Sequence, residues 1–479
     1  MSFQRGDLHQ RGGILIMTMV FVVMFVVIFI ALTRLVTSSY HQAVLQAQDE
    51  VAFQVAEAGL NYGRWRLSHN KTNFTTETKN VTDQFAGVLG SYTVTFQAPS
   101  AGSTIVLMTA TGTTATQPSR QVRLRARYGI PSLARYASIT NSNVWYTSEI
   151  KGAVHSNGGI RMDGESDSLM TSAKATYSCQ STHGCSPTQT KPGVWGSGER
   201  AELWEYPVSP VDYNALTTNL LSLKTTAQAS NTYYGASGAL GYQIIFNTNN
   251  TYSIYRVTQK GTLVCSWVTE GSQNVSGCPS SSSGTWERSS YDVATQVLIE
   301  TKTVPTNGVI YTEDTLWVKG SIRGKITVAA GRFPDTPATN TDIILNGDIT
   351  YSGVTDGTRS FAAIAQRNIL IPWSGAEDVL ELDGAFVAQK GRFGRRYYCA
   401  SSCSADAHRL KTKLELYGMI ASNTVPGTSW VNGSGQVISG YQTVELTYDP
   451  NFLYAPPPYF PTNGEYQFIS WDELSVGEN

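Results

Sequence analysis

Four places in this 479-residue chain combine residue types and spacing that could do chemistry. Asn340-Thr341-Asp342 offers a carboxylate, but glycosidic hydrolysis needs one acid to protonate the leaving group and another to activate water. No Gly-His-Gly or paired aspartate accompanies it. Asp163, Glu165 and Asp167 alternate in a glycine-containing loop and could present oxygens to calcium. They lack the central glycine and distal glutamate of an EF-hand, so a solvated turn is expected. His155 has no His or Cys at ligand spacing and is expected to be a satisfied residue inside the fold. Lys390, Arg392, Arg395 and Arg396, interleaved with Phe393, Tyr397 and Tyr398, form a dense basic-aromatic segment. Such a segment could stack on sugars or bases or meet phosphate, and a solvated, disulfide-tied hairpin is the competing state. With no Gly-x-Ser-x-Gly, His-Glu-x-x-His or phosphate loop in the chain, no catalytic residue, cofactor or metal site is expected.

The elements that must carry these residues follow from composition and order. Charged residues are 15% and aromatics 11%, and the formal charge of -1 supplies no global field to recruit nucleic acid or anionic lipid. Six cysteines fall as close pairs, Cys179 with Cys185, Cys265 with Cys278 and Cys399 with Cys403. In an exported chain these are expected to be local disulfides, since zinc would need thiolates from two separate pairs to converge.

Export is argued from the amino terminus. Arg5 and Arg11 precede an uncharged block, Ile14 to Leu32, in which Thr18 is the one clearly polar side chain, and Arg34 closes it. The block is just long enough for the roughly 20 residues that a membrane span needs. It is too long for the core of a cleavable secretory signal, and no convincing small-x-small exit follows it. Positive charge before the block predicts a cytoplasmic leader and an exported remainder.

The junction Gln10-Arg11-Gly12-Gly13-Ile14-Leu15-Ile16-Met17 resembles the processing site of type IV pilins and their minor-pilin relatives. The resemblance implies cleavage between Gly12 and Gly13 by a prepilin peptidase. It places Met17 where a major pilin has the glutamate that pairs with a neighbouring subunit's amino terminus. Ala52-Phe53-Gln54-Val55-Ala56-Glu57-Ala58-Gly59-Leu60 is similar to the "AEAG" segment of PilX-type proteins, and the Tyr454-to-Pro461 tail also resembles theirs. What this implies is a minor pilin that begins or tips a filament. Its partners would be other pilins and the assembly platform, with the inner membrane before assembly and a surface glycan afterwards.

Beyond the apolar block Val44, Ala47, Val51, Val55, Ala58, Tyr62 and Trp65 step by three and four, opposite Gln46, Glu50, Gln54, Glu57, Asn61 and Arg64. One helix to Leu67, about 80 Å long at 1.5 Å per residue, is predicted. Ser91–Phe96, Ile105–Ala110 and Gln121–Ala126 then alternate with period two, which predicts an antiparallel meander.

Past residue 135 an aliphatic strand ending at glycine recurs. The copies are Glu149-Ile-Lys-Gly152, Leu316-Trp-Val-Lys-Gly320, Ile344-Leu-Asn-Gly347, Glu381-Leu-Asp-Gly384 and Glu415-Leu-Tyr-Gly418. Their uneven spacing excludes a strict repeat but fits stacked supersecondary units. The predicted fold class is α+β: a long N-terminal transmembrane helix with a small antiparallel sheet, then a mainly-β ectodomain resembling a parallel β-helix or solenoid. The expected divisions are a leader (1–12), the helix (13–70), a pilin-like sheet (71–130), first repeats (131–162), a disulfide-containing insertion (163–304), solenoid repeats (305–425) and a Pro/aromatic strap (426–479). The functional expectation is a non-enzymatic minor pilin of the inner membrane with an exported ectodomain. The alternative is an inner-membrane-anchored β-helix protein that binds glycan and never enters a filament.

Overall fold

The computed structural model describes the chain except residues 1–9, 86, 100–102, 119, 269–274, 280–284, 400–405, 433–434, 463–464 and 475–479. It divides into two compact units, one of Met1–Ala98, Val106–Gly129 and Tyr466–Asn479, the other of Pro99–Ile105 and Ile130–Glu465.

The first unit begins with helix α1, Gln10–His69. No proline or capping sequence interrupts it, and Thr18 Oγ1 donates to the carbonyls of Ile14 and Leu15 at 3.0 and 2.9 Å, so the block's polar side chain is satisfied inside the helix. The second half of α1 packs on an antiparallel sheet of β1 (Glu77–Asp83), β2 (Gly87–Gln97), β3 (Ile105–Thr114) and β4 (Gln121–Gly129), with Gln467–Leu474 added beside β4. Alternation on β3 is complete: Val106, Met108 and Ala110 are buried while their neighbours are half-buried. The expected meander is present, with two strands more than the sequence pattern predicted.

The helix stripe is rotated from the expected one. Ala52, Val55, Ala56, Leu60 and Leu67 are buried, whereas Trp65 is 54% exposed. Gly112 of β3 lies so close to the helix that a Cβ there would meet the Ala52 carbonyl at 2.3 Å. Close approach selects Gly and Ala on the contact face, and a hydropathy pattern weighted toward large side chains misplaces it. Arg66 is buried on this same face, donating to Glu77 Oε2 at 3.0 Å, Asn73 Oδ1 at 2.7 Å and the Thr75 carbonyl at 2.8 Å.

The second unit is built on long parallel ladders. In one, Tyr233–Tyr234, Val309–Thr312, Lys325–Ala330, Ser360–Ala365, Val379–Ala388 and Leu410–Ser422 each pair in parallel with the next. The ladder then continues, still parallel, through Ser138–Thr140, Val154–Ser156, Met170–Ser172 and Trp204–Glu205. The chain therefore enters this ladder in the middle, runs to one end, and returns to fill the other half. Helix α2, Tyr213–Ala229, lies between the segments that form the two ends. Its Leu220, Leu223 and Ala227 pack on Val309, Tyr311, Ala329 and Ala362.

A second ladder runs through Tyr242–Phe246, Leu316–Ile322, Ile343–Tyr351, Ile369–Ile371 and Phe393–Arg395. A third runs through Val379–Ala388, Leu410–Ser422, Val437–Thr447 and Ile150–Lys151. Strands buried on both faces read as continuous aliphatic runs, as in Ser360–Ala365, where every residue is buried.

The recurring glycines mark corners of the chain's path. Gly152, Gly320, Gly347, Gly384 and Gly418 have φ of +127°, +118°, +156°, +144° and +143°, a region that L side chains avoid. They do not form one column. Gly384 is in register with Gly418, while Gly320 and Gly347 stand where the second ladder's strands continue past a register shift. That is why the spacings are uneven. Residues 163–304, expected as an insertion, contribute Met170–Ser172, Trp204–Glu205, Tyr233–Tyr234 and Tyr242–Phe246 to the ladders. The stretch 426–479 likewise supplies the ladder strand Val437–Thr447 and, in the first unit, the strand Gln467–Leu474, rather than a strap alone. A period search cannot see either, because the strands are short and their partners are distant in sequence.

Candidate functional sites: an exposed apolar helix and an aromatic cleft

The first half of α1 presents apolar side chains to its surroundings on all sides: Ile14 is 68% exposed, Phe25 71% and Leu35 64%. A helix this long and apolar meets the length and composition needed to cross a membrane. Met17 lies within it, 64% exposed. Gly12 and Gly13 fall inside the helical span, and a Cβ at Gly13 would meet nothing within 4 Å. The basic leader with Arg5 lies outside the described residues.

The candidate chemistry of the sequence resolves into structure. Asp163 accepts hydrogen bonds from Trp145 Nε1 at 2.8 Å, Arg161 Nε at 2.7 Å and the Ser197 backbone at 3.0 Å. Burial pushes its carboxyl up, but those donors and the Arg161 charge together hold it below the usual carboxylate range. Asp163 is thus a brace between turns rather than a solvated loop residue. Asp167 caps the Gly152 N–H at 2.8 Å. His155 is 1% exposed, with Nδ1 against Thr171 Oγ1 and Nε2 against Asn157 Oδ1, and burial lowers its affinity for a proton. Asp342 takes Arg367 in two hydrogen bonds of 2.8 and 2.6 Å and also the Asn368 N–H. Among the described residues no cluster of three His, Cys, Asp or Glu could hold a metal.

Cys179–Cys185 and Cys265–Cys278 are disulfides, each with Cα atoms 5.6 Å apart. Cys399 is also disulfide-bonded. Its expected partner Cys403 lies outside the described residues.

The basic-aromatic segment is dispersed. Arg395 is fully buried and donates to the carbonyls of Arg409 and Trp373, each at 3.1 Å. Arg396 pairs with Glu287 at 2.8 Å and donates to the Tyr291 hydroxyl at 2.6 Å. Lys390 is held by Asp335, Phe393 and Tyr398 are buried, and the Arg392 guanidinium lies over the Trp430 ring at 5.3 Å. These residues do not form one cationic surface. Tyr397 is half-buried, as are Lys390, Arg392 and Arg396.

Tyr397 belongs instead to a cleft that the sequence did not announce. Val264–Val268, Thr285–Ser289 and Tyr397–Tyr398 form a small antiparallel sheet in which Trp267 stands directly opposite both Trp286 and Tyr397. Residues opposite one another share a face, so the three rings emerge together. Trp430, on Ser429–Val431, meets Trp267 edge-on with centroids 5.7 Å apart and Tyr397 at 5.8 Å. With Pro279 and Ile438 they line a cleft of about 350 Å³. The signal available in the sequence was one tryptophan inside the Cys265–Cys278 loop and another just past it, with no local spacing to join them to Trp430.

A polar groove of about 670 Å³ runs elsewhere in this unit, along Asn423, Asn141 and Asn157. Its amides satisfy one another: Asn141 donates to Asn423 at 2.9 Å and Asn157 to Asn141 at 2.8 Å. This ladder of amides stabilises a corner of the fold.

No protein-family model matches the chain, and no curated protein matches it. Among solved structures, the competence-associated pilin ComZ from Thermus thermophilus aligns over 89% of this chain and 97% of that one, at 13% identity and a TM-score of 0.31.

Proposed function

We propose that this chain is a pilin-like, non-enzymatic envelope protein, a minor subunit of the PilX type. Helix α1 would store it in the inner membrane, with the amino terminus cytoplasmic, and later join it to a filament. The observation that carries this reading is the double character of one uninterrupted helix. Ile14 to Leu32 has exposed apolar side chains on every face, and Ala52 to Leu67 packs on an antiparallel sheet of its own unit. A plain membrane anchor needs only the first property. The parallel ladders support a β-solenoid-like ectodomain for display.

Met17 supports a place at a filament end or at the assembly platform. A carboxylate at that depth would be costly unless paired, and methionine can neither incur that cost nor gain the pairing. Other pilins and the assembly platform are the partners in this reading. Immunogold labelling of sheared filaments with antibody against residues 305–425 tests it. Rare labels confined to ends are expected, and uniform labelling along the shaft contradicts the tip assignment.

A further inference from the structure

We infer that the cleft of Trp267, Trp286, Tyr397 and Trp430 binds a neutral saccharide. The inference goes beyond pilin-like assembly and stands on the cleft alone.

Three observations lead to it. First, four aromatic side chains line one shallow cavity whose volume lies in the range of small-molecule sites. The face of an aromatic ring is the negative side of its quadrupole, and the C–H face of a pyranose is its complement.

Second, the indole N–H groups of Trp267 and Trp286 donate to no acceptor among the described residues. Trp145, Trp195 and Trp430 of the same unit donate to Asp163, the Tyr177 hydroxyl and the Arg395 carbonyl at 2.8, 2.8 and 3.3 Å. Two donors beside aromatic rings suit a ligand rich in hydroxyl acceptors.

Third, two cations beside the cleft are engaged, which leaves exposed Arg288, two residues from Trp286 on the same strand, as a single charge on that face. Arg396 is committed to Glu287 and Tyr291, and Arg392 covers one ring of the site itself. A phosphate-bearing strand needs a positive groove that tracks its backbone, and none accompanies these rings. Aromatic rings with one exposed arginine beside them, and no run of cations, favour a neutral ring over a phosphate-bearing strand.

The test uses the full chain in nanodiscs or a zwitterionic detergent, since a sugar-headed detergent would compete. Isothermal titration is run with a panel of neutral hexose and N-acetylhexosamine oligomers, and in parallel with an oligothymidylate. At least one neutral oligomer is expected to bind with an affinity insensitive to salt. Trp267→Ala and Trp430→Ala should each weaken it about tenfold or more, as truncation of a central aromatic anchor does. Trp267→Phe, which keeps a ring and preserves the sheet but removes the indole donor, should fall between the wild type and Trp267→Ala. Failure of every neutral oligomer, or binding unchanged in both alanine variants, overturns the proposal. Salt-sensitive binding of the oligothymidylate alone also overturns it and assigns the rings to nucleic acid.

Discussion

The antiparallel sheet of the first unit and the parallel ladders of the second bury their apolar side chains by different rules. In β3 burial alternates residue by residue, whereas Ser360–Ala365 is buried throughout. One face of the first sheet is covered, by α1, so its strands need only every second side chain to be apolar. The ladder strands have one side in the interior cluster that includes Phe361 and Ala363 and the other in a second cluster that includes Ala362, Ile364 and side chains of α2. The difference extends to glycine. In the antiparallel unit Gly87 turns at φ +74° in open space, and in the ladders Gly418 turns at φ +143° with its missing Cβ directed at the Gly384 carbonyl, 2.0 Å away.

The largest effect should therefore separate these two glycines. Gly418→Ala combines a disfavoured backbone region with a clash against another backbone, and is expected to cost roughly 3 kcal/mol or more. Gly87→Ala pays only for a left-handed turn, about 1 kcal/mol. Thermal unfolding of the two variants side by side checks this. Equal losses would show that the ladder corners are not packed as described.

Next comes Arg66→Ala, which removes a buried guanidinium and leaves Asn73 and Thr75 without its donors, while Glu77 keeps Tyr62 and Lys79. A loss of about 2 to 3 kcal/mol is expected, confined to the helix-and-sheet unit. Arg66→Lys should recover only part of it, because one ammonium cannot reach Glu77, Asn73 and Thr75 together. Hydrogen exchange of α1 and β1 amides provides the readout.

A smaller effect concerns Asp383, beside Gly384 in the third ladder. Burial pushes its carboxyl up to about 6, despite a 2.7 Å hydrogen bond from the Tyr351 N–H, with the Glu381 and Asp449 charges adding to the rise. The folded protein then holds this proton more tightly than the unfolded chain, whose carboxyl titrates near pH ~3.9. Asp383 should lower stability progressively as pH rises from about 4 to 6, and the loss should persist above. Asp383→Asn keeps an acceptor for Tyr351 and is expected to raise the unfolding temperature at pH 7 while leaving it unchanged at pH 4. An equal change at both pH values would contradict the assignment.

What the sequence revealed follows from the same contrast. The uncharged block of α1 and the period-two strands are local patterns, and both are present where expected. The glycine-ended strands were legible as a recurrence, but not as corners in more than one register. The ladder order was not legible, since Ile420 pairs with Ser138 across most of the chain and nothing in either segment specifies the other. The helix contact face was misphased because Ala52, Ala56 and Gly63 contribute by being small. Lys390, Arg392, Arg395 and Arg396 looked like a surface because their partners, among them Asp335 and Glu287, are distant in sequence. The tryptophans of the cleft were visible only as isolated aromatics, brought together by a sheet that the sequence pattern did not predict.

The central claim is that α1 is a pilin-type helix rather than an ordinary signal anchor. Its most direct test is the mass of the amino-terminal peptide recovered from cells that carry a prepilin peptidase. A mature chain beginning at Gly13, lost when Gly12 is replaced by a bulky residue, is the predicted result. A chain that still begins at Met1 in those cells would contradict the claim and leave a membrane-anchored ectodomain that never enters a filament.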